Sequence, residues 1–105
     1  MSIFSFLKGG IDKGVEEFRA TPGAALIDVR EADEYAQGHI PGGRNIPLSE
    51  LAERSGEIGA HDAPVFVYCL SGGRSSQAES LLKRAGFTAV KNIGGISGYT
   101  GEVER

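Results

Sequence analysis

One cysteine, Cys69, is all that this chain of 105 residues carries. A single thiol closes no internal disulfide, and it argues against a structural zinc site. It suits a reducing compartment, and a cytoplasmic location is expected. Long apolar runs are missing too, so no segment approaches a membrane span. Positive charge is not in excess: eleven Lys and Arg stand against fourteen Asp and Glu, for a net charge of −3. No basic cluster interleaved with aromatics occurs, which argues against nucleic-acid partners. The two histidines, His39 and His61, lie far apart and have no carboxylate at ligand spacing, so no metal is expected. Gly9, Gly10 and Gly14 lack the GK[ST] ending of a phosphate loop, and no cofactor is implied. Internal repeats, linkers and low-complexity stretches are absent. The chain therefore reads as one domain over 1–105, long enough to bury a real core without disulfides or metals.

What the chain does contain is a short apolar, β-prone run, Val65-Phe66-Val67-Tyr68, that delivers Cys69 to a glycine-rich loop, Leu70-Ser71-Gly72-Gly73-Arg74-Ser75. A helical pattern follows at once, with Ala78, Leu81, Leu82 and Ala85 on one face and Gly86 just past the end. Ser75 or Ser76 caps this helix in the sequence reading, with Glu79 completing a capping box to Ser76. Glycines let loop N–H groups turn inward and form a concave anion site. Arg74 adds a forked cation suited to oxyanions. A helix N-terminus, converging N–H groups and Arg74 all favour the thiolate, so Cys69 is expected to have a lowered pKa and to act as a nucleophile. Burial of Cys69 as an ordinary core residue is the competing reading. It leaves unexplained why the one cysteine and an arginine bracket the glycines.

Elsewhere the pattern alternates strands and helices. Helices are expected over 12–20 (with Val15 and Phe18 inward), 31–37, 49–55 (capped by Ser49) and 75–85. Strands are expected over 24–29, 44–46, 65–68 and 89–93. The unalternating apolar runs suit strands buried on both faces. The apolar start, 1–10, reads as an N-terminal strand or flap over the core, with a partner-docking or membrane-surface patch as the alternative. Such alternation implies a parallel sheet with right-handed crossovers, and ligand sites beyond the carboxyl ends of its strands. Cys69 lies at one such end and Asp28-Val29-Arg30 at another. Arg30 is expected to pair with Glu34 at i,i+4 on the surface. His39 is expected to be satisfied by backbone groups rather than to act as a base. His61 is expected in a solvated turn.

Three blocks carry a family resemblance: Leu26-Ile27-Asp28-Val29-Arg30-Glu31 running on to Glu34-Tyr35, Gly38-His39-Ile40-Pro41-Gly42-Gly43-Arg44-Asn45-Ile46-Pro47, and the cysteine loop with Gly94-Gly95-Ile96 behind it. In this order the chain resembles a single-domain rhodanese over roughly residues 25–99. Two departures stand out. Tyr99 occupies a position where the family usually has tryptophan. The family usually continues into a further helix, whereas this chain stops soon after, at Gly101-Glu102-Val103-Glu104-Arg105. The resemblance implies an α/β fold, a central parallel sheet of about five strands with helices on both faces. It implies sulfur transfer through a Cys69 persulfide, from a donor such as thiosulfate to cyanide or a thiol, with Leu70 to Ser75 holding the anion. Asp28 and Arg30 are then candidate supporting residues, and a sulfur-carrier protein is a candidate partner. Two alternatives remain open: a cysteine-dependent phosphatase or arsenate reductase, and a non-catalytic regulatory module. The related phosphatases space cysteine and arginine as C-x5-R, whereas this loop is C-x4-R.

Overall fold

The structure, a computed structural model, describes residues 10–105. The segment over 1–9, most of the expected N-terminal strand or flap, lies outside the described residues. Four strands form one sheet: β1 (Ala25–Asp28), β2 (Gly43–Asn45), β3 (Val65–Cys69) and β4 (Val90–Gly95). Their order is β2-β1-β3-β4 and every pairing is parallel. The parallel α/β architecture is as expected, but among the described residues the sheet has four strands rather than about five. The two unalternating runs, β1 and β3, are the inner strands, because only there are both faces covered.

Alternation along β1 and β3 sorts their side chains into two clusters. Leu26, Phe66 and Tyr68 pack with Ile11 and Val15 of α1 (Gly10–Arg19) and with Ile40 and Ile93. Ile27, Val29, Val65, Val67 and Cys69 face the other way, onto Leu51, Ile58, Ala78 and Leu82. Helices therefore cover both faces, as expected. Each fully buried aliphatic side chain contributes about 1.5–3 kcal/mol, so the two clusters dominate the local hydrogen bonds. Phe18 packs at the edge of the first cluster, in edge-on contact with Phe66.

Several helix starts differ from expectation, α1 beginning at Gly10 rather than at 12. The segment expected as one helix over 49–55 is a 3₁₀ turn (Leu48–Glu50), a single helical turn α3 (Leu51–Arg54) and a second 3₁₀ turn (Ser55–Glu57). Ser49 caps nothing; the tight turn is closed by the Glu50 N–H donating to the Pro47 carbonyl, 2.8 Å. Arg54 ties the pieces together through Glu50 and Glu57, both at 2.9 Å. The helix after the cysteine, α4 (Gly73–Arg84), starts two residues early. Its N-cap is Gly72, not Ser75 or Ser76, and Glu79 pairs with Lys83 at 2.9 Å instead of closing a capping box. Gly72 has φ 102°, a left-handed conformation that turns the loop straight into the helix and that glycine adopts freely.

The pairing of β3 with β4 slips by one residue: Val67 faces Asn92, but Tyr68 faces Gly94. Ile93 is left out of the ladder and drops into the α1-side cluster. Such a bulge re-aims a strand next to a site. At the chain's end, Glu104 bridges His39 in antiparallel fashion, and Tyr99 packs against the α1-side cluster.

Candidate active site

Cys69 is the last residue of β3 and points to the α4 side of the sheet, where it is 1 % exposed. The buried-residue reading is thus correct about burial. The surroundings of the sulfur are nevertheless polar. Sγ accepts hydrogen bonds from the Gly72 N–H at 3.0 Å, the Ser75 N–H at 3.4 Å and the Ser75 hydroxyl at 3.3 Å. The loop is pressed onto β4 to make this possible. The backbone of Leu70 and Ser71 lies so close to Gly95 that a Cβ there has no room, and the Ser97 N–H holds the Leu70 carbonyl at 3.1 Å.

Two effects compete at the thiol. Burial pushes the Cys69 pKa up, and hydrogen bonds from the Ser75 hydroxyl and from the Ser75, Gly72 and Ser71 N–H groups pull it down. The hydrogen bonds win, and the thiol lies below its ordinary value. A lowered cysteine is therefore as expected, although its main cause is the donor set rather than Arg74.

Arg74 is engaged elsewhere. Its guanidinium makes a bidentate pair with Glu34 of α2 (Ala32–Gln37), at 2.7 and 3.0 Å. The hydrogen bonds from Arg74 hold the Glu34 carboxyl at about 2, well below the usual carboxylate range. The expected Arg30–Glu34 surface pair does not form. Arg30 turns back onto Asp28, with Nε at 3.0 Å from both carboxylate oxygens and Nη2 at 2.7 Å, and both residues are buried. Arg30 Nη2 also donates to the Gly38 carbonyl at 2.7 Å, and Asn45 Nδ2 donates to the carbonyls of Asp28 and Arg30. The local i,i+4 rule fails because a desolvated carboxylate two residues away is the stronger partner. These bonds do not reach Cys69. They fix the turn that leads into α2, and through Glu34 that helix meets the cysteine loop.

The structure treats the other candidates plainly. His39 stacks on Tyr35 at 3.7 Å between centroids, and its Nδ1 lies 3.1 Å from the Tyr35 carbonyl oxygen. Its Nε2 lies 3.8 Å from Glu104, so the ring is occupied away from the sulfur. His61 is exposed and meets Phe87 edge-on. Leu70 is exposed beside the thiol, and Gly73 opens α4. Among the described residues no cluster of His, Cys, Asp and Glu could hold a metal, and no helix is long and apolar enough to cross a membrane. Two residues escaped the sequence reading as part of the site. Glu34 is paired 40 positions away, beyond any local rule. Asn92 accepts from Ser75 Oγ at 2.7 Å and donates to the Gly72 carbonyl at 3.2 Å. Its only sequence signal was an amide next to Lys91 in a strand between Val90 and Ile93.

Comparison with known proteins agrees with this geometry. The model of the rhodanese-like domain matches residues 12–102. The chain is 42% identical over 71 residues to the thiosulfate sulfurtransferase PspE of Escherichia coli, covering 67% of this chain and 68% of that protein. It is 46% identical over 91 residues to the uncharacterized protein YqhL of Bacillus subtilis, covering 85% and 71%. Among solved structures, a rhodanese with anions from E. coli superposes with a TM-score of 0.72 at 36% identity, over 78% of this chain and 98% of that one. With its parallel sheet, its cysteine loop at a strand end and these relatives, the chain belongs to the rhodanese-like family.

Proposed function

We propose that this protein is a sulfurtransferase that carries a sulfane sulfur on Cys69. The supporting observation is the set of three hydrogen bonds converging on one buried sulfur. In the first half-reaction the Cys69 thiolate attacks the outer sulfur of thiosulfate. A sulfur–sulfur bond forms to Cys69, the sulfur–sulfur bond of thiosulfate breaks, and sulfite departs with the electron pair. In the second, cyanide or a thiolate attacks the outer sulfur and takes it as thiocyanate or a new persulfide. The Cys69 thiolate returns with its electron pair, and no external oxidant or reductant enters.

The N–H groups of the 70–75 loop hold the anionic persulfide and the departing sulfite in this reading. Such donors lie where charge develops, and losing one from an oxyanion site typically costs about 100-fold or more. Arg74 borders the loop, and Asp28 and Arg30 support it at one remove. Neither a metal nor an organic cofactor is needed. The acceptor is a small thiol or a sulfur-carrier protein, and a reducing compartment such as the cytoplasm keeps the lone thiol available. The C-x4-R spacing is one residue shorter than the phosphatase loop, and retention of the cysteine argues against a purely regulatory module. Cys69→Ser is expected to fold as the native chain does and to lose thiosulfate-to-cyanide transfer completely. Substantial turnover by the folded variant would refute the assignment.

A further inference from the structure

The Ser75 hydroxyl is fully buried and carries one proton, yet four acceptors surround it. Asn92 Oδ1 is nearest at 2.7 Å, followed by the Gly72 carbonyl at 3.2 Å, Cys69 Sγ at 3.3 Å and the Gly94 carbonyl at 3.4 Å. We propose that Asn92 is a positioning residue that shares the Ser75 proton with Cys69, holding it while the sulfur is neutral and yielding it when the sulfur is a thiolate.

The orientation of the Asn92 amide is fixed by its neighbours. The Gly94 N–H, freed by the bulge, needs an acceptor and finds Asn92 Oδ1 at 2.9 Å. Nδ2 then faces the Gly72 carbonyl, 3.2 Å away. Asn92 therefore touches two of the three residue groups around the sulfur: the hydroxyl of Ser75 directly, and Gly72 through the carbonyl that follows its donating N–H. When Cys69 is protonated or carries a further sulfur, Sγ is a poor acceptor and the Ser75 hydroxyl stays turned toward Asn92 Oδ1. When Cys69 is a thiolate, the charge-assisted bond to sulfur is the stronger one and the hydroxyl turns. The amide thus competes with the thiolate for one proton. Removing that competition stabilises the thiolate relative to the thiol.

Charged groups near the thiol do not account for this. Arg74 of α4 is held by Glu34 of α2, and Asp28 and Arg30 pair with each other at the end of β1. Lys91 of β4 is held by Glu17 of α1, on which Lys13 also acts. None of these bonds to Ser75 or Asn92.

The inference rests on Cys69 being the reactive thiolate of the proposed sulfur transfer. Its test needs no sulfur donor, so the two can fail separately. The measurement is the pH midpoint of iodoacetamide alkylation of Cys69 in the full chain, with folding checked by circular dichroism. Asn92→Leu is expected to lower the midpoint by about 0.5–1 pH unit, the worth of one net hydrogen bond. In a Ser75→Ala background the same substitution is expected to leave it unmoved. Asn92→Asp keeps the acceptor and adds charge, and is expected to raise the midpoint, less so in the Ser75→Ala background. This second pair decides the matter if Asn92→Leu does not fold. An unchanged or raised midpoint in Asn92→Leu, or equal shifts with and without the Ser75 hydroxyl for either variant, would overturn the proposal.

Discussion

A buried sulfur with three hydrogen-bond donors is held in a different state from a buried sulfur among methyl groups. Burial alone raises the Cys69 pKa; the Ser75, Gly72 and Ser71 donors more than offset it. Alkylation of Cys69 is therefore expected to show a midpoint below the free-cysteine value of about 8.5. Ser75→Ala removes a donor to the charged form, so the midpoint rises, by about 0.5–1 unit. A Ser75→Ala midpoint equal to or below the native one would show that the hydroxyl does not serve the thiolate. The candidate nucleophile was legible in the sequence because it is the one cysteine and glycines follow it. The side chains around it were less so. Arg30 has a nearer partner in Asp28 than the helical i,i+4 rule offers, and Arg74 finds Glu34 from another element. Asn92 reaches the loop only because of a register slip that no local pattern encodes.

At the scale of elements, Glu34 has two duties. It accepts from the Glu31 N–H at 2.9 Å in the capping box that starts α2, and it binds Arg74 of α4. Its carboxyl is lowered to about 2, so the ion pair stabilises the folded state fully above the ordinary carboxylate pKa of 4.5. That contribution is lost as pH falls through about 2. Glu34→Gln keeps an acceptor for the cap but gives up the charge. Denaturant titrations are expected to show the variant less stable at neutral pH, by no more than about 1 kcal/mol because the pair is partly solvated. The difference should shrink between pH 4.5 and about 2; a difference independent of pH would contradict the assignment. Helix existence was legible throughout, helix starts were not. Gly72 caps α4 through its backbone conformation, so the serines that look like caps lie inside the first turn. The 48–57 stretch breaks into 3₁₀ pieces where i+3 backbone bonds form, from the Glu50 N–H to the Pro47 carbonyl and from the Ile58 N–H to the Ser55 carbonyl.

Across the whole molecule, the parallel sheet was legible because β1 and β3 are apolar without alternation, which requires cover on both faces. Strand order β2-β1-β3-β4 brings the carboxyl ends of β1 and β3 side by side, so the Asp28–Arg30 turn lies beside the end of the strand that carries the thiol. The same fold isolates that thiol. The sequence holds no second cysteine to resolve an oxidised Cys69, so the persulfide of the proposed reaction would wait for an external acceptor. The most direct test is the intact mass of the protein after treatment with thiosulfate, followed by gel filtration and then cyanide. The expected result is one added sulfur on the native chain, retained through filtration, removed by cyanide, and absent from Cys69→Ser. No gain in mass, an equal gain on Cys69→Ser, or loss at a comparable rate without any acceptor would contradict a sulfur carried on Cys69.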